Sequence, residues 1–216
     1  MNFWFEIRIR MSKKYDAGEY RVKPVNPYEY HLRDWPDIVV TLVLILLNIG
    51  VAVYGLFRDG LEYDWALLAE AVNDGEYFRV VTSMFVHFGI EHLAFNMIAL
   101  FGVGRILERL IGHIRFAVVY ILSGLCGSAL VLYMTEDFGA YTAGASGAIF
   151  GIMAALFVYM LLTKDFSMIQ QVALMLVINL AGTFTDGNVS VGGHIGGCIG
   201  GLIFGMLFVR RKSRNF

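Results

Sequence analysis

Three observations predict that the chain folds as an all-α polytopic bundle of six membrane-spanning helices. Its 216 residues are 57% apolar, with a mean hydropathy of +0.63, above the roughly 45–50% apolar content of water-soluble domains. The apolar residues gather into six runs of about 17 to 25 residues, the length that crosses a hydrocarbon layer. If those runs alternate in direction, 15 of the 17 Lys and Arg residues fall on one side.

Residues 1–36 come before the first run. They carry seven Lys/Arg and all three prolines (Pro24, Pro27 and Pro36), and they lack the short apolar core of a signal peptide. They are expected to form a cytoplasmic N-terminal extension. Within it, Phe3 to Arg10 ends in a strand-like alternation too short to carry a core.

The helical domain is placed at residues 37–210, with spans at Ile38 to Phe57, His92 to Leu110, Phe116 to Met134, Ser146 to Leu162, Met168 to Phe184 and Gly192 to Val209. Residues 211–216 form a basic tail. Only Arg58 and Arg79 lie on the side away from the basic excess. Retention of Lys and Arg in the cytoplasm therefore puts both termini inside. The connections Arg58 to Glu91, Thr135 to Ala145 and Asp186 to Val191 are then external. The longest contains Trp65, Tyr77 and Phe78 and reads as a partly helical loop in the headgroup region.

Several functions are excluded early. A net charge of −1 does not suit a nucleic-acid partner, which calls for a basic face. Cys126 and Cys198 both sit in apolar runs, where a thiol behaves as a small hydrophobe, so no disulfide framework or redox pair is expected.

Ser146 opens the fourth run and His194 lies near the start of the sixth. Polar reactive groups inside membrane segments point to function, because hiding them from water is unfavourable. At about 1.5 Å per residue, Ser146 lies roughly 27 Å from Lys164 and His194 roughly 24 Å from Arg210. Both therefore sit a few ångströms below the external surface, at matching depth. Gly193, Gly197, Gly201 and Gly205 form a ridge of period four, and Gly147, Gly151 and Ala155 form a second on the serine helix. Small-residue ridges let membrane helices approach closely, and Ser146 and His194 each adjoin a ridge glycine. A hydroxyl within reach of an imidazole is a nucleophile with its general base. A helix N-terminus at Ser146 would favour the negative charge formed in the reaction.

Gly144-Ala145-Ser146-Gly147 and His194-x-x-Gly197-x-x-x-Gly201 resemble the rhomboid intramembrane serine proteases. So do Gly75-Glu76-Tyr77-Phe78-Arg79, Phe85-x-His87-x-x-x-x-His92-x-x-x-Asn96 and Glu108. The resemblance covers about Gly75 to Val209 and is to the bacterial-type six-span core. It implies a Ser146–His194 dyad that cleaves transmembrane protein substrates in contact with membrane lipid, without metal or cofactor, in a prokaryotic plasma membrane with the site open to the external side. It further implies that His92 and Asn96 hold the oxyanion with the serine N–H, and that Gly144, Gly147, Phe150, Gly197, Gly201, Arg79 and Glu108 support the site. Phe78 and Phe150 stand where the family commonly has tryptophan and tyrosine, keeping the ring and losing a polar handle. Glu108 is expected at the far end of its helix and Asp186 in a loop, so packing rather than a carboxylate is expected to orient the imidazole.

Three rivals are weighed against this reading. A catalytically inactive rhomboid-like binder of membrane helices would lack an essential residue, and none is missing. A transporter needs a polar path, yet Gln170, Gln171 and Asn179 are the few polar residues of the fifth run. A zinc site from His87, His92, His194 and Cys198 uses good ligands but leaves Ser146 and Asn96 without roles.

Overall fold

The structure is a computed structural model that describes residues 37–135, 139–164, 190–212 and seven positions between 166 and 175. The extension 1–36, the end of the tail and most of the fifth span, Met168 to Phe184, lie outside the described residues.

Helix α1 (Val39–Gly55) is followed by three short helices, α2 (Leu61–Trp65), α3 (Ala69–Asn73) and α4 (Arg79–Thr82). Strand β1 (Leu67–Leu68) separates α2 from α3. The second span is built from α5 (Ile90–Ala99), a π-helical turn at Leu100–Gly104 and α6 (Arg105–Ile111). Then come α7 (His113–Met134), strand β2 (Tyr141–Thr142), α8 (Ser146–Thr163) and α9 (Val191–Lys212). Among the described residues, four helices are long and apolar enough to cross a membrane, and α1 is apolar at 17 residues. The outward side chains of α1 and α9 include Leu46, Leu47 and Val53 on one and Ile199, Ile203 and Leu207 on the other. Apolar residues facing outward suit a lipid solvent and not water.

The second span turns back into the third at Gly112, whose φ of +85° is open to glycine and strained for other residues. Beside that turn, Glu108 is fully buried. Its carboxylate accepts hydrogen bonds from the Val40 and Thr41 N–H groups at 2.8 Å each and from the Thr41 hydroxyl at 2.6 Å. It also meets His113 Nδ1 at 2.5 Å. Glu108 thus caps the start of α1, a role its position in the sequence does not reveal.

Helix α9 packs between α8 and α7, and glycines set both contacts. A Cβ on Gly197 would lie 2.7 Å from the Gly147 carbonyl carbon, one on Gly201 2.6 Å from the Gly151 Cα, and one on Gly205 2.8 Å from the Ala155 Cα. The two expected ridges therefore interlock rung by rung. Helix α9 carries a further ridge, Gly196 and Gly200, directed at α7. A Cβ on Gly196 would lie 2.9 Å from the Gly127 Cα, and one on Gly200 the same distance from the Ser123 Cα. Its spacing of four is visible in the sequence, but a ridge alone does not name its partner.

The connection between the first two spans is short helices and a strand, as a partly helical loop requires. Arg79 organises it. The buried guanidinium donates to the Tyr63 carbonyl at 2.7 Å and the Ala66 carbonyl at 2.9 Å, and pairs with Glu76. β1 pairs antiparallel with β2, Leu67 opposite Thr142 and Leu68 opposite Tyr141. This ladder ties the loop to the segment that leads into Ser146. Two-residue strands carry no periodicity, so the sequence does not disclose them.

Candidate active site

Ser146 is the first residue of α8, where the leading N–H groups have no partner within the helix. His194 lies in the first turn of α9. The Ser190 hydroxyl accepts from the Gly193 N–H at 3.1 Å, an N-cap contact that fixes where α9 begins. The interlocked glycines then bring the two helix starts together. His194 Nε2 lies 2.9 Å from Ser146 Oγ, and His194 is only 7% exposed. The Phe150 ring stacks on the imidazole, with centroids 4.2 Å apart and planes at 25°. This is the flat wall expected one turn after the serine. Cys198, one turn after His194, faces the Phe150 carbonyl with its Sγ at 3.9 Å.

The approach to Ser146 is equally specified. Gly144 has φ +123°, and a Cβ there would lie 2.8 Å from His92 Nε2, so both conformation and space demand glycine. Its N–H donates to the Ser83 carbonyl at 2.8 Å. The next N–H, that of Ala145, donates to His87 Nε2 at 3.3 Å. The His87 and His92 rings meet edge to face, 5.0 Å between centroids. Burial and the neighbouring His92 push the His87 pKa down to about 3, so its ring is neutral at ordinary pH. The Asn96 side-chain amide donates to the His92 carbonyl at 2.9 Å, and its buried oxygen has no hydrogen-bond partner among the described residues.

The structure thus gathers Ser146, His194, Phe150, Gly144, Gly147 and Gly197 at one end of the bundle, with His92 and Asn96 on the neighbouring helix and Gly201 about two turns beyond His194 along α9. Arg79 shapes the loop above. Glu108 lies 16 residues along the second span from His92, about 24 Å by helix rise, and acts on α1. Asp186 lies outside the described residues. Among the described residues, no group of three or more potential metal ligands is found. His87 is the residue that sequence reasoning left without a role. Its spacing of five from His92 was visible, but its contact with Ala145 spans 58 positions.

A serine hydroxyl held against an imidazole at the mouths of two lipid-crossing helices is the arrangement of a serine hydrolase built into a membrane. Comparison with known proteins agrees. A family model described as the Rhomboid domain matches residues 74–211. The rhomboid protease GluP of Bacillus subtilis is 39% identical over 129 residues, which cover 57% of this chain and 24% of GluP. YdcA of the same organism is 34% identical over 200 residues, 88% of this chain and 96% of YdcA. The rhomboid protease AarA of Providencia stuartii is 33% identical over 145 residues, 57% of this chain and 52% of AarA. The chain therefore spans about a quarter of GluP and half of AarA, but nearly all of YdcA. It belongs to the rhomboid family of intramembrane serine proteases and is an integral membrane protein.

Proposed function

We propose that this protein cleaves peptide bonds in or beside the membrane-spanning segments of other proteins, using Ser146 as nucleophile and His194 as general base. The observation that carries this is the 2.9 Å contact between Ser146 Oγ and His194 Nε2. His194 Nε2 takes the hydroxyl proton as Oγ attacks the substrate carbonyl. The tetrahedral oxyanion forms at the N-terminus of α8, where the Ser146 N–H and the helix dipole favour negative charge. His92 donates from beside Gly144, and Asn96 joins by exchanging its bond to the His92 carbonyl for one to the oxyanion. Catalytic hydrogen bonds often tighten in this way only in the complex. His194 then returns the proton to the leaving amine, and water hydrolyses the acyl-enzyme by the same base. Phe150 holds the imidazole plane.

The remaining architecture follows from the basic asymmetry. Six spans, the fifth at Met168 to Phe184, place both termini in the cytoplasm of a prokaryotic cell and open the site to the external side. Residues 1–36 form the cytoplasmic extension and 211–216 the basic tail. The near-complete coverage of a Bacillus subtilis relative supports the prokaryotic assignment. Substrate helices enter laterally past the fifth span, whose few small residues make for loose packing. A crosslink tying that span to the second should therefore block cleavage of transmembrane substrates.

Purified protein mixed with a single-span reporter tests the dyad. Ser146→Ala and His194→Ala should each abolish cleavage, while chelators leave it unchanged. Cleavage that survives Ser146→Ala, or is untouched by His194→Ala, would falsify the dyad. A chain that binds the reporter without cutting it would favour the inactive-binder reading.

A further inference from the structure

His87 lies outside the dyad and the oxyanion donors, yet it touches the machinery on two sides. Its Nε2 accepts the N–H of Ala145, the residue immediately before the nucleophile, and its ring edge packs on His92 at 5.0 Å. Gly144 closes the triangle. A Cβ there would lie 2.8 Å from His92 Nε2 and 3.9 Å from His87 Cδ2. The peptide leading into Ser146 is thus held by two long-range contacts, Gly144 N–H to the Ser83 carbonyl and Ala145 N–H to the His87 ring. Resting on the dyad reading above, we infer that His87 is a positioning residue, whose neutral imidazole aims the Ser146 backbone N–H and the His92 ring at one oxyanion.

Donor and acceptor chemistry fixes the state of the ring. Nε2 can accept from Ala145 only as a bare lone pair, so the ring proton sits on Nδ1. Protonating both nitrogens would set an N–H against an N–H and release the Ala145 peptide. The depressed basicity of the buried ring keeps it in the accepting form. The peptide between Ala145 and Ser146 carries the Ser146 N–H, so a rotation at Ala145 turns that donor away from the reacting carbonyl. The effect falls on the transition state, where the oxyanion exists, and not on substrate binding.

The test uses the full-length chain in phosphatidylethanolamine and phosphatidylglycerol liposomes with a single-span reporter. His87→Gln places an amide oxygen near the position of Nε2. His87→Asn is equally polar but too short to reach Ala145, and His87→Leu offers no acceptor. Loss of one hydrogen bond made in the transition state predicts that the Asn and Leu variants lose kcat about tenfold while KM stays within about twofold. His87→Gln should recover kcat to within about threefold of the unmodified enzyme. A Gln variant as slow as Asn and Leu, three variants at full rate, or a loss confined to KM would each overturn the inference. If the Leu variant does not fold, the Gln and Asn pair decides alone. Cleavage that survives Ser146→Ala in the same liposomes overturns the dyad itself, and the positioning role with it, whatever the His87 variants do.

Discussion

Adding one methyl group at Gly197 tests whether the glycine ridges hold the reacting atoms in register. The new Cβ would stand 2.7 Å from the Gly147 carbonyl carbon and 3.0 Å from its Cα, and would overlap the carbonyl oxygen. Comfortable carbon contacts need about 3.5–4.0 Å, so α8 and α9 must separate by about 1 Å at this level. The overlap falls on Gly147, directly after the proposed nucleophile Ser146. A Ser146–His194 distance of 2.9 Å would open towards 3.9 Å, beyond hydrogen-bond reach. A misplacement of that size can lower kcat about 100-fold. Overpacking should cost about 1–3 kcal/mol, partly offset by up to about 1 kcal/mol from replacing a helical glycine with alanine. Gly205→Ala is the control. Its Cβ meets Ala155 at 2.8–3.0 Å, a smaller overlap about 12 Å further along the helix. The assay is reporter cleavage at saturating substrate, paired with thermal unfolding of the same preparation. Per folded molecule, Gly197→Ala should lose far more activity than Gly205→Ala. Equal activities in the two variants, or an unimpaired Gly197→Ala, would refute the register argument.

Three further outcomes are expected. Phe150→Ala removes the stacked wall and should reduce kcat about tenfold, the scale of a 0.5–1.5 kcal/mol aromatic contact, whereas Phe150→Tyr keeps the ring and most of the rate; steady-state cleavage distinguishes them. Glu108→Ala strands the Val40 and Thr41 N–H groups and should cost about 3 kcal/mol or more of stability. Because Glu108 lies far from Ser146, activity per folded molecule below the unfolding transition should stay near normal, and a selective loss of activity would contradict the capping role. Stability should also fall as the medium is acidified from pH 6.5 towards 3. Over that range the unfolded chain protonates His87 at its ordinary 6.5 while the folded chain, with a pKa of about 3, does not, so acid favours unfolding. The contribution is fully present above about 6.5 and should be missing from the pH profile of thermal unfolding in His87→Gln.

Much of the molecule was legible in the sequence for definite reasons. Span length and the Lys/Arg asymmetry are one-dimensional properties imposed by the bilayer, so the boundaries of α7, α8 and α9 fall within about three residues of those expected. The pairing of Ser146 with His194 was also accessible, because helix rise and a spacing of four are regular enough to carry a residue to a known depth and face. Other features were hidden because they join distant positions without leaving a periodic trace. Glu108 capping α1, β1 joined to β2, and His87 beneath Ala145 are of this kind. The π turn at Leu100–Gly104 is a local irregularity that apolar composition alone does not signal.

By itself, then, the sequence determined the lipid solvent, the approximate spans and the two helices that carry Ser146 and His194, since each depends on composition or on helix repeat. Tertiary structure decided which glycine meets which backbone, how the loop is pinned over the serine, and that His87 holds the peptide leading to it. Those choices depend on close approach between segments dozens of residues apart, where differences of about an ångström separate a hydrogen bond from a gap.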